Sequence, residues 1–287
     1  MKAIIQHNFT TGIGDFTCDL SESMHVALEL KKLGYEIHLR LNLLRNKYSK
    51  EPILRKILSE ETLSFFTTIE EFTNPVTDLE VEGTTFWFAA HDPQKPGTHR
   101  WDIFIDEVPQ NISRTKFDAN TAAIGIVPEI LPQFSRPIID KVEAFTEKLT
   151  KGYSFLQIRI VDSELNNNRL DVIYDKIIAN ISNLGTQVHI GTNNKYLYNK
   201  LIECDNVVTY NFTTVDKLGN DLNATDYYTG EDVFLERLYD NIAEMTSIAG
   251  CDKIYYYSDL GWVSNFLYYA LCTNPKIELI DLKQSLH

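Results

Sequence analysis

Basic residues are scarce in this chain of 287 residues: 27 Lys and Arg face 40 Asp and Glu, which leaves a formal net charge of −13. A general nucleic-acid binder needs clustered Lys and Arg to neutralise phosphates, so this deficit argues against that class. It does not exclude a local basic site for a small phosphorylated molecule.

Cysteines and long apolar runs are also few. Four widely spaced cysteines without a C-x-x-C pair predict reduced thiols in a reducing compartment: Cys18, Cys204, Cys251 and Cys272. No segment approaches about 18 uninterrupted apolar residues, which argues against a membrane span. The amino terminus reads as a first strand rather than a signal peptide. We therefore expect a cytoplasmic protein without a membrane-spanning helix.

Several catalytic motifs are missing. The seven histidines are scattered, and neither H-E-x-x-H nor a Cys/His cluster indicates zinc, so no metal site is expected. The phosphate loop G-x-x-x-x-G-K-[ST] and the nucleophile turn G-x-S-x-G are both absent. An unrelated α/β hydrolase or epimerase therefore ranks low among the possible functions.

Strand-like and helix-like apolar periods alternate along most of the chain, with 44% apolar and 23% charged residues overall. The first 45 residues predict a βαβ unit, whose helix buries Leu20, Met24, Ala27 and Leu28. Similar alternation resumes after a proline-rich stretch that contains Pro132. This pattern predicts an α/β fold of two Rossmann-like doubly wound domains, 1–131 and 132–287, that face a cleft.

The middle of the chain is less regular. A short helix is expected after Pro52, and strands are expected at 84–90 and 101–108 around a polar loop, 91–100.

Ligands of open parallel sheets bind beyond the carboxyl ends of the strands, so the residues that follow each strand are the candidates. The first strand leads into Gly12-Ile13-Gly14-Asp15, where glycines allow a ligand to approach the backbone. A third glycine, which the dinucleotide fingerprint requires, is absent. The alternative is an ordinary tight turn in which Asp15 caps the helix.

Arg159 stands near the end of a strand that otherwise reads as buried. A buried guanidinium needs a partner, and there are two candidates for it. One is Asp162 or a neighbouring acid, which would make Arg159 structural. The other is the phosphate of a ligand, which suits the forked geometry of the guanidinium.

Two further polar corners follow predicted strands. Asn193 lies in the first, where Thr192 or Asn193 is expected to cap a helix. Ser258 and Ser264 lie in the second, where hydroxyls and free amides at a helix start can bind an anion or can simply cap the helix.

In order along the chain, these features resemble the fucosyltransferase type of GT-B glycosyltransferase, which includes α-1,2-, α-1,6- and protein O-fucosyltransferases. The resemblance rests on the Gly12-x-Gly14 helix start, on Gln157-x-Arg159-x-x-Asp162, and on a late segment from Ala243 to Asp252 with Ser258 and Ser264 beyond it. It covers the beginning of the chain and most of 132–287, but not the middle. Gly-Ile-Gly-Asp also resembles the start of heptosyltransferases, another GT-B family.

The resemblance implies that the carboxyl-terminal domain holds a nucleotide-diphosphate sugar, with GDP-fucose as the candidate donor, and that a carbohydrate acceptor docks on the amino-terminal domain. It also implies inverting transfer without an essential metal or a further cofactor. Arg159 would neutralise the diphosphate leaving group, helped by Asp162, Asn193, Ser258, Ser264, Gly12 and Gly14 as donor-binding residues. Asp15 is the preferred general base, ahead of His91 and Asp92.

Three departures from the family pattern support a competing hypothesis. Gln157 stands where the family has His, Ile160 replaces a second Arg, and Asn193-Asn194 replaces an acidic pair. The alternative is thus a non-catalytic relative that binds a glycan or a partner and has lost donor chemistry.

Overall fold

The computed structural model describes residues 2–8, 13–42, 53–72, 84–88, 130–160, 167–182, 184–209, 231–259 and 263–283. The chain divides into two compact units, Met1–Ile139 with Tyr228–Tyr239, and Asp140–Tyr227 with Asp240–His287. The domain boundary expected at 131/132 stays a prediction. Within the described ranges, no helix has the length and apolar character needed to cross a membrane.

The first unit is built on a parallel sheet whose strands lie in the order β3-β2-β1-β4. Its elements are β1 (Lys2–Asn8), α1 (Ile13–Lys32), β2 (Glu36–Asn42), α2 (Leu54–Ile57), α3 (Glu60–Leu63), β3 (Thr68–Phe72) and β4 (Thr84–Phe88). The expected βαβ start is therefore confirmed. The elements α3 and β3 were not anticipated, because each is short and lacks a clear apolar period.

Helix α1 buries most of the face that its periodicity predicts. Leu20, Met24 and Ala27 are buried, but Leu28 is 36% exposed, so its placement in the stripe was wrong. Each residue turns an α-helix by about 100°, which puts Leu28 at the edge of the buried face. The chain leaves the helix at Gly34, whose φ of 84° is the left-handed conformation that a glycine C-cap provides.

The second unit is built on a five-stranded parallel sheet in the order β7-β6-β5-β8-β9. Its strands are β5 (Ser154–Arg159), β6 (Val188–Thr192), β7 (Val207–Val208), β8 (Lys253–Ser258) and β9 (Glu278–Asp281). Its helices are α5 (Asn167–Ile181), α6 (Lys195–Leu201) and α8 (Asn265–Thr273), with a 3-10 helix at Ile248–Gly250. The boundaries between the units fall inside α4 (Arg136–Thr146) and α7 (Glu231–Ser247).

This strand order has a functional consequence. Strand β5 pairs with β6 on one side and with β8 on the other, so the order of connection reverses between β5 and β8. Such a reversal is the topological switch point of a doubly wound sheet, and the crevice outside its carboxyl ends is where ligands bind.

Both faces of the five-stranded sheet are covered by apolar side chains. Leu156 and Ile158 belong to a buried cluster that includes residues of α5 and α6. Phe155, on the opposite face, packs in a second cluster with Ile254 and Leu267. Burial on both faces explains why these strands read as nearly continuous apolar runs.

The sequence predictions for the second half of the chain are largely confirmed. The alternation of helices and strands that the sequence predicts after Pro132 is present from α4 to β9. The expected strand at 84–90 corresponds to β4, and the short helix after Pro52 corresponds to α2. The expected strand at 101–108 and loop at 91–100 lie outside the described residues.

The outer surface of α5 and α6 carries a polar cluster around Asp171. Its carboxylate accepts hydrogen bonds from Tyr196 Oη and Lys200 Nζ, each 2.6 Å long. The ammonium of Lys200 also lies 4.2 Å from the centre of the Tyr174 ring. The Lys200 hydrogen bond, followed by that of Tyr196, lowers the pKa of Asp171 below its usual 3.8.

This lowered pKa predicts an acid-dependent contribution to stability. The ionised Asp171 is favoured in the folded state, so its contribution is complete above about pH 4 and is lost as the pH falls through the depressed pKa. We expect Asp171→Asn to lower the urea midpoint at pH 6, with the gap to wild type closing on acidification. Tyr196→Phe should give a smaller gap of the same kind, and a gap that is constant from pH 6 to pH 3 would contradict the assignment.

Candidate functional site

The candidate site lies at the carboxyl edge of the five-stranded sheet, where β5 and β8 end. Arg159 is the last residue of β5, and it pairs in register with Ser258, the last residue of β8. Residues paired in register on neighbouring parallel strands project to the same face of the sheet. The sheet therefore brings together two residues that lie about a hundred positions apart in the sequence, each of which the sequence had indicated as a candidate site residue.

Ser258 has an unusual environment for a hydroxyl. Its side chain is 3% exposed, and within the described part of the chain its Oγ has no hydrogen-bond partner. A buried hydroxyl without a partner costs free energy, so such groups are rare in folded proteins. Its position at the switch point therefore suits a group that completes its hydrogen bonding when a ligand arrives.

Arg159 is half-buried, and its backbone is hydrogen-bonded to the residue that follows β8. The carbonyl oxygen of Arg159 accepts a hydrogen bond from the Asp259 amide at 3.3 Å. Asp162, the acid considered as a structural partner for Arg159, lies outside the described residues.

Helix α8 is the next element of the chain after β8 and begins at Asn265. Ser264 is its N-cap, and the Ser264 hydroxyl accepts a hydrogen bond from the Phe266 amide at 3.3 Å. The capping interpretation of Ser264 is thus confirmed, whereas Ser258 does not act as a cap. A capped helix start still offers amide donors and a positive dipole end for an anion.

The corner after β6 differs from its predicted form. The N-cap of α6 is Asn194, whose Oδ1 accepts from the Leu197 amide at 3.0 Å, so the expected cap by Thr192 or Asn193 was wrong. The Asn193 carboxamide instead bonds the backbone of Ile160, accepting from its N–H at 2.9 Å and donating to its C=O at 2.7 Å.

The amino-terminal candidates are only partly described. Helix α1 begins at Ile13, so Gly14 and Asp15 lie in its first turn, and Gly14 is buried. A carboxylate in the first turn of a helix is favoured by the dipole, whatever its further role. Gly12, the side chain of Asp15, and the alternative bases His91 and Asp92 lie outside the described structure.

Sequence reasoning missed a buried polar pair beneath the site. His189 on β6 is fully buried, Glu244 on α7 is 4% exposed, and Nε2 of His189 lies 3.4 Å from Oε1 of Glu244. The rings of Phe145 and Phe155 meet the imidazole edge-on, with centroids 4.7 and 4.9 Å away. A histidine inside an otherwise apolar strand was the signal that could have revealed this pair.

Glycine at position 191 allows this packing. A Cβ there would come within 2.8 Å of Phe155 Cζ and 3.3 Å of Glu244 Oε1. Gly191 also pairs in register with Gln157, which in turn pairs with Tyr256. The Glu244 carboxylate consequently lies on the same face as the site, one row below Arg159.

Tyr256, which lies one row below Ser258 on β8, stays in its neutral form. Burial, followed by the negative charge and hydrogen bond of Asp281, raises the pKa of Tyr256 to about 12. Tyr256 therefore remains a neutral phenol at any ordinary pH. Among the described residues, no group of three or more His, Cys, Asp and Glu side chains is arranged to hold a metal ion.

Two units, each built on a parallel sheet, and a polar edge at the switch point of the second unit define a two-unit α/β protein. This confirms the fold class expected from the sequence.

The fold is like that of fucosyltransferases. The fucosyltransferase NodZ from Bradyrhizobium matches with a TM-score of 0.57 at 12% identity, over 100% of this chain and 97% of that chain. The structure of NodZ α-1,6-fucosyltransferase soaked with GDP-fucose matches with a TM-score of 0.52 at 14% identity, over 96% and 94% of the two chains. The NodZ structure co-crystallised with GDP also gives a TM-score of 0.52, at 13% identity. No protein-family model and no curated protein sequence matches the chain.

Proposed function

We propose that the protein is a glycosyltransferase that transfers a sugar from a nucleotide-diphosphate sugar to a carbohydrate acceptor, with inversion and without an essential metal. GDP-fucose is the candidate donor, because it was soaked into a fucosyltransferase of like fold. The proposal places the donor on the second unit and the acceptor on the first. The compartment proposed for the reaction is the cytoplasm.

The observation that carries this proposal is the pairing of Arg159 with Ser258 at the switch point. A nucleotide-diphosphate sugar presents phosphate oxygens that accept hydrogen bonds, and a guanidinium fork fits them well. The unpartnered Ser258 hydroxyl supplies another donor at the same edge. Transfer releases a nucleoside diphosphate, so a fixed positive group at this position stabilises the charge that develops on the leaving group.

The other donor-binding candidates have unequal support. The Ser264 hydroxyl is already used as a helix cap, so its contribution would come through the amides of the α8 start that it orders. Asn193 hydrogen-bonds the backbone of Ile160 with both ends of its carboxamide, so its proposed contribution to donor binding is made through that backbone. Asp162, Gly12 and Gly14 keep the roles that the family resemblance implies.

The general base is proposed to be Asp15. Inverting transfer requires a group that removes the proton of the acceptor hydroxyl as the sugar migrates. Asp15 occupies the first turn of α1, the helix that follows the inner strand β1 along the chain, and ligands of parallel sheets bind beyond the carboxyl ends of the strands. His91 and Asp92 remain the alternatives.

A second candidate function is binding without transfer, and one observation favours it. The buried Glu244 carboxylate lies next to Gly191, on the face where the donor is proposed to bind. A carboxylate there disfavours an anionic ligand unless that ligand donates a hydrogen bond to it. The substitutions at Gln157 and Ile160 point in the same direction.

A nucleotide series tests the proposal. GDP, UDP, ADP and CDP should be compared by thermal unfolding in the presence of a chelator, with the matching nucleosides as controls that lack phosphate. We expect one nucleoside diphosphate to raise the melting temperature saturably, since ligand at a hundred times Kd stabilises by about 2.7 kcal/mol. Absence of any shift would contradict donor binding.

Product analysis then separates the two candidate functions. Incubation of the protein with the matching nucleotide sugar and an oligosaccharide mixture should release the nucleoside diphosphate and a glycosylated product. Saturable nucleotide binding without turnover across acceptors would instead favour the non-catalytic relative.

A further inference from the structure

Hydrogen bonds link four strand exits along the carboxyl edge of the five-stranded sheet. Asn193, directly after β6, bonds the Ile160 backbone directly after β5. The Asp259 amide, directly after β8, bonds the carbonyl of Arg159 at 3.3 Å. Lys283, beyond β9, donates from Nζ to the Asp259 carbonyl at 2.7 Å. We call this series of contacts the edge belt.

At one end of the edge belt, the Asn193 side chain makes the hydrogen bonds that a neighbouring strand would make. A carboxamide that accepts from a backbone N–H and donates to the C=O of the same residue reproduces the two bonds of a peptide neighbour. Asn193 thus extends the pairing of β5 with β6 by one residue past the end of β6. The backbone that leaves Arg159 is held by both contacts at Ile160.

At the other end of the edge belt, Lys283 holds the backbone that leaves β8. The Lys283 amide bonds the Asp281 carboxylate at 2.8 Å, which orders the turn after β9. Its ammonium then reaches the backbone of Asp259, the residue that follows Ser258. A charged donor makes a stronger hydrogen bond to a carbonyl than a neutral one does.

We propose that Asn193 and Lys283 are positioning residues that hold the exits of β5 and β8 in the geometry that binds the diphosphate of the donor. This inference rests on the proposed function. Neither residue needs to touch the ligand, because each acts on the backbone adjacent to Arg159 or Ser258. Loops that are fixed before binding do not have to be ordered by the ligand. This increases both the affinity for the ligand and the electrostatic stabilisation of the leaving group.

Variants of Lys283 distinguish a tether from a direct partner of the phosphates. Lys283→Met removes the hydrogen bond and the charge, and should raise the Kd of the nucleoside diphosphate about tenfold, as expected for loss of one charge-assisted hydrogen bond. Lys283→Arg should restore most of the affinity. Lys283→Gln keeps a donor without the charge, so a tether predicts an intermediate Kd with an unchanged salt dependence.

A matched control is available on the same two strands. Lys253 bonds Glu278 across β8 and β9 at 2.9 Å, at the opposite end of the sheet. Lys253→Met makes the same substitution and removes a surface ion pair far from the strand ends, so it should leave the Kd within about twofold of wild type. Asn193→Ala should also raise the Kd about tenfold. Its control is Asn180→Ala, which removes a single exposed hydrogen bond from the Asn180 carboxamide to the Lys176 carbonyl.

Hydrogen exchange supplies a measurement that needs no nucleotide. In the full-length protein, Lys283→Met should accelerate exchange of peptides that contain the Asp259 amide, whereas Lys253→Met should not. Unchanged exchange and an unchanged Kd in Lys283→Met and Asn193→Ala would overturn the inference, as would a Lys283→Gln Kd equal to that of Lys283→Met. If the wild-type protein binds no nucleoside diphosphate, the proposed function fails and this inference with it, even where exchange shows that the belt is intact.

Discussion

Arg159→Ala is expected to abolish saturable stabilisation by nucleoside diphosphates. Removal of one partner from a buried, hydrogen-bonded charge pair costs about 2–4 kcal/mol, which corresponds to a Kd that rises about 30- to 1,000-fold. Arg159 is half-buried and pairs with Ser258 at the strand ends, and we expect its guanidinium to form such a pair with the diphosphate of the ligand. Isothermal titration of wild type and variant with the nucleotide selected by the series measures the effect directly.

Two further variants make this result specific. Arg159→Lys keeps the positive charge but loses the planar fork, so its affinity should lie between those of wild type and Arg159→Ala. Arg169→Ala removes an exposed arginine of α5 in the same unit and should leave binding unchanged. Equal binding by wild type and Arg159→Ala would remove the central residue from the proposed site.

Phe155→Ala is expected to cause the largest loss of stability among single substitutions near the site. Its side chain is fully buried in the cluster that faces α8, and its ring also packs against the buried His189. Removal of a buried phenylalanine side chain costs about 3–5 kcal/mol, because burial is lost and a cavity remains. Here the cavity would also lie next to Gly191, where no side chain can fill it.

Urea unfolding measures this effect. Val172→Ala trims an exposed residue of α5 and should change the free energy of unfolding by less than about 0.5 kcal/mol. Phe155→Leu, which retains most of the buried apolar surface, should lose less than Phe155→Ala. Similar midpoints for Phe155→Ala and Val172→Ala would show that this packing contributes little to stability.

Individual site residues were recognisable in the sequence when their type contradicted their surroundings. Arg159 stood out because a guanidinium rarely ends an apolar strand without a purpose, and Ser258 because it ends a strand directly ahead of a helix. Their adjacency was not recognisable, because it depends on which strands pair. The register between β5 and β8 is a property of the assembled sheet.

Roles that depend on a choice among neighbouring side chains were also beyond the sequence. Asn193 and Asn194 are identical residues in one corner, yet Asn194 caps α6 and Asn193 holds the Ile160 backbone. Backbone direction at the end of β6 decides between them, and this direction is set by tertiary packing. Similarly, His189 and Glu244 belong to different elements and meet only when α7 lies against the sheet.

The sequence by itself determined the alternation of helices and strands, the two-unit α/β class and the identity of most candidate residues. It could do so because helical and strand periodicity, capping glycines and isolated charges are local signals. Only the tertiary structure decided that β5 and β8 are neighbours, that the Ser258 hydroxyl is buried without a partner among the described residues, and that Asn193 and Lys283 hold the two strand exits. These features depend on contacts between residues far apart in the chain, and such contacts leave no periodic trace in the sequence.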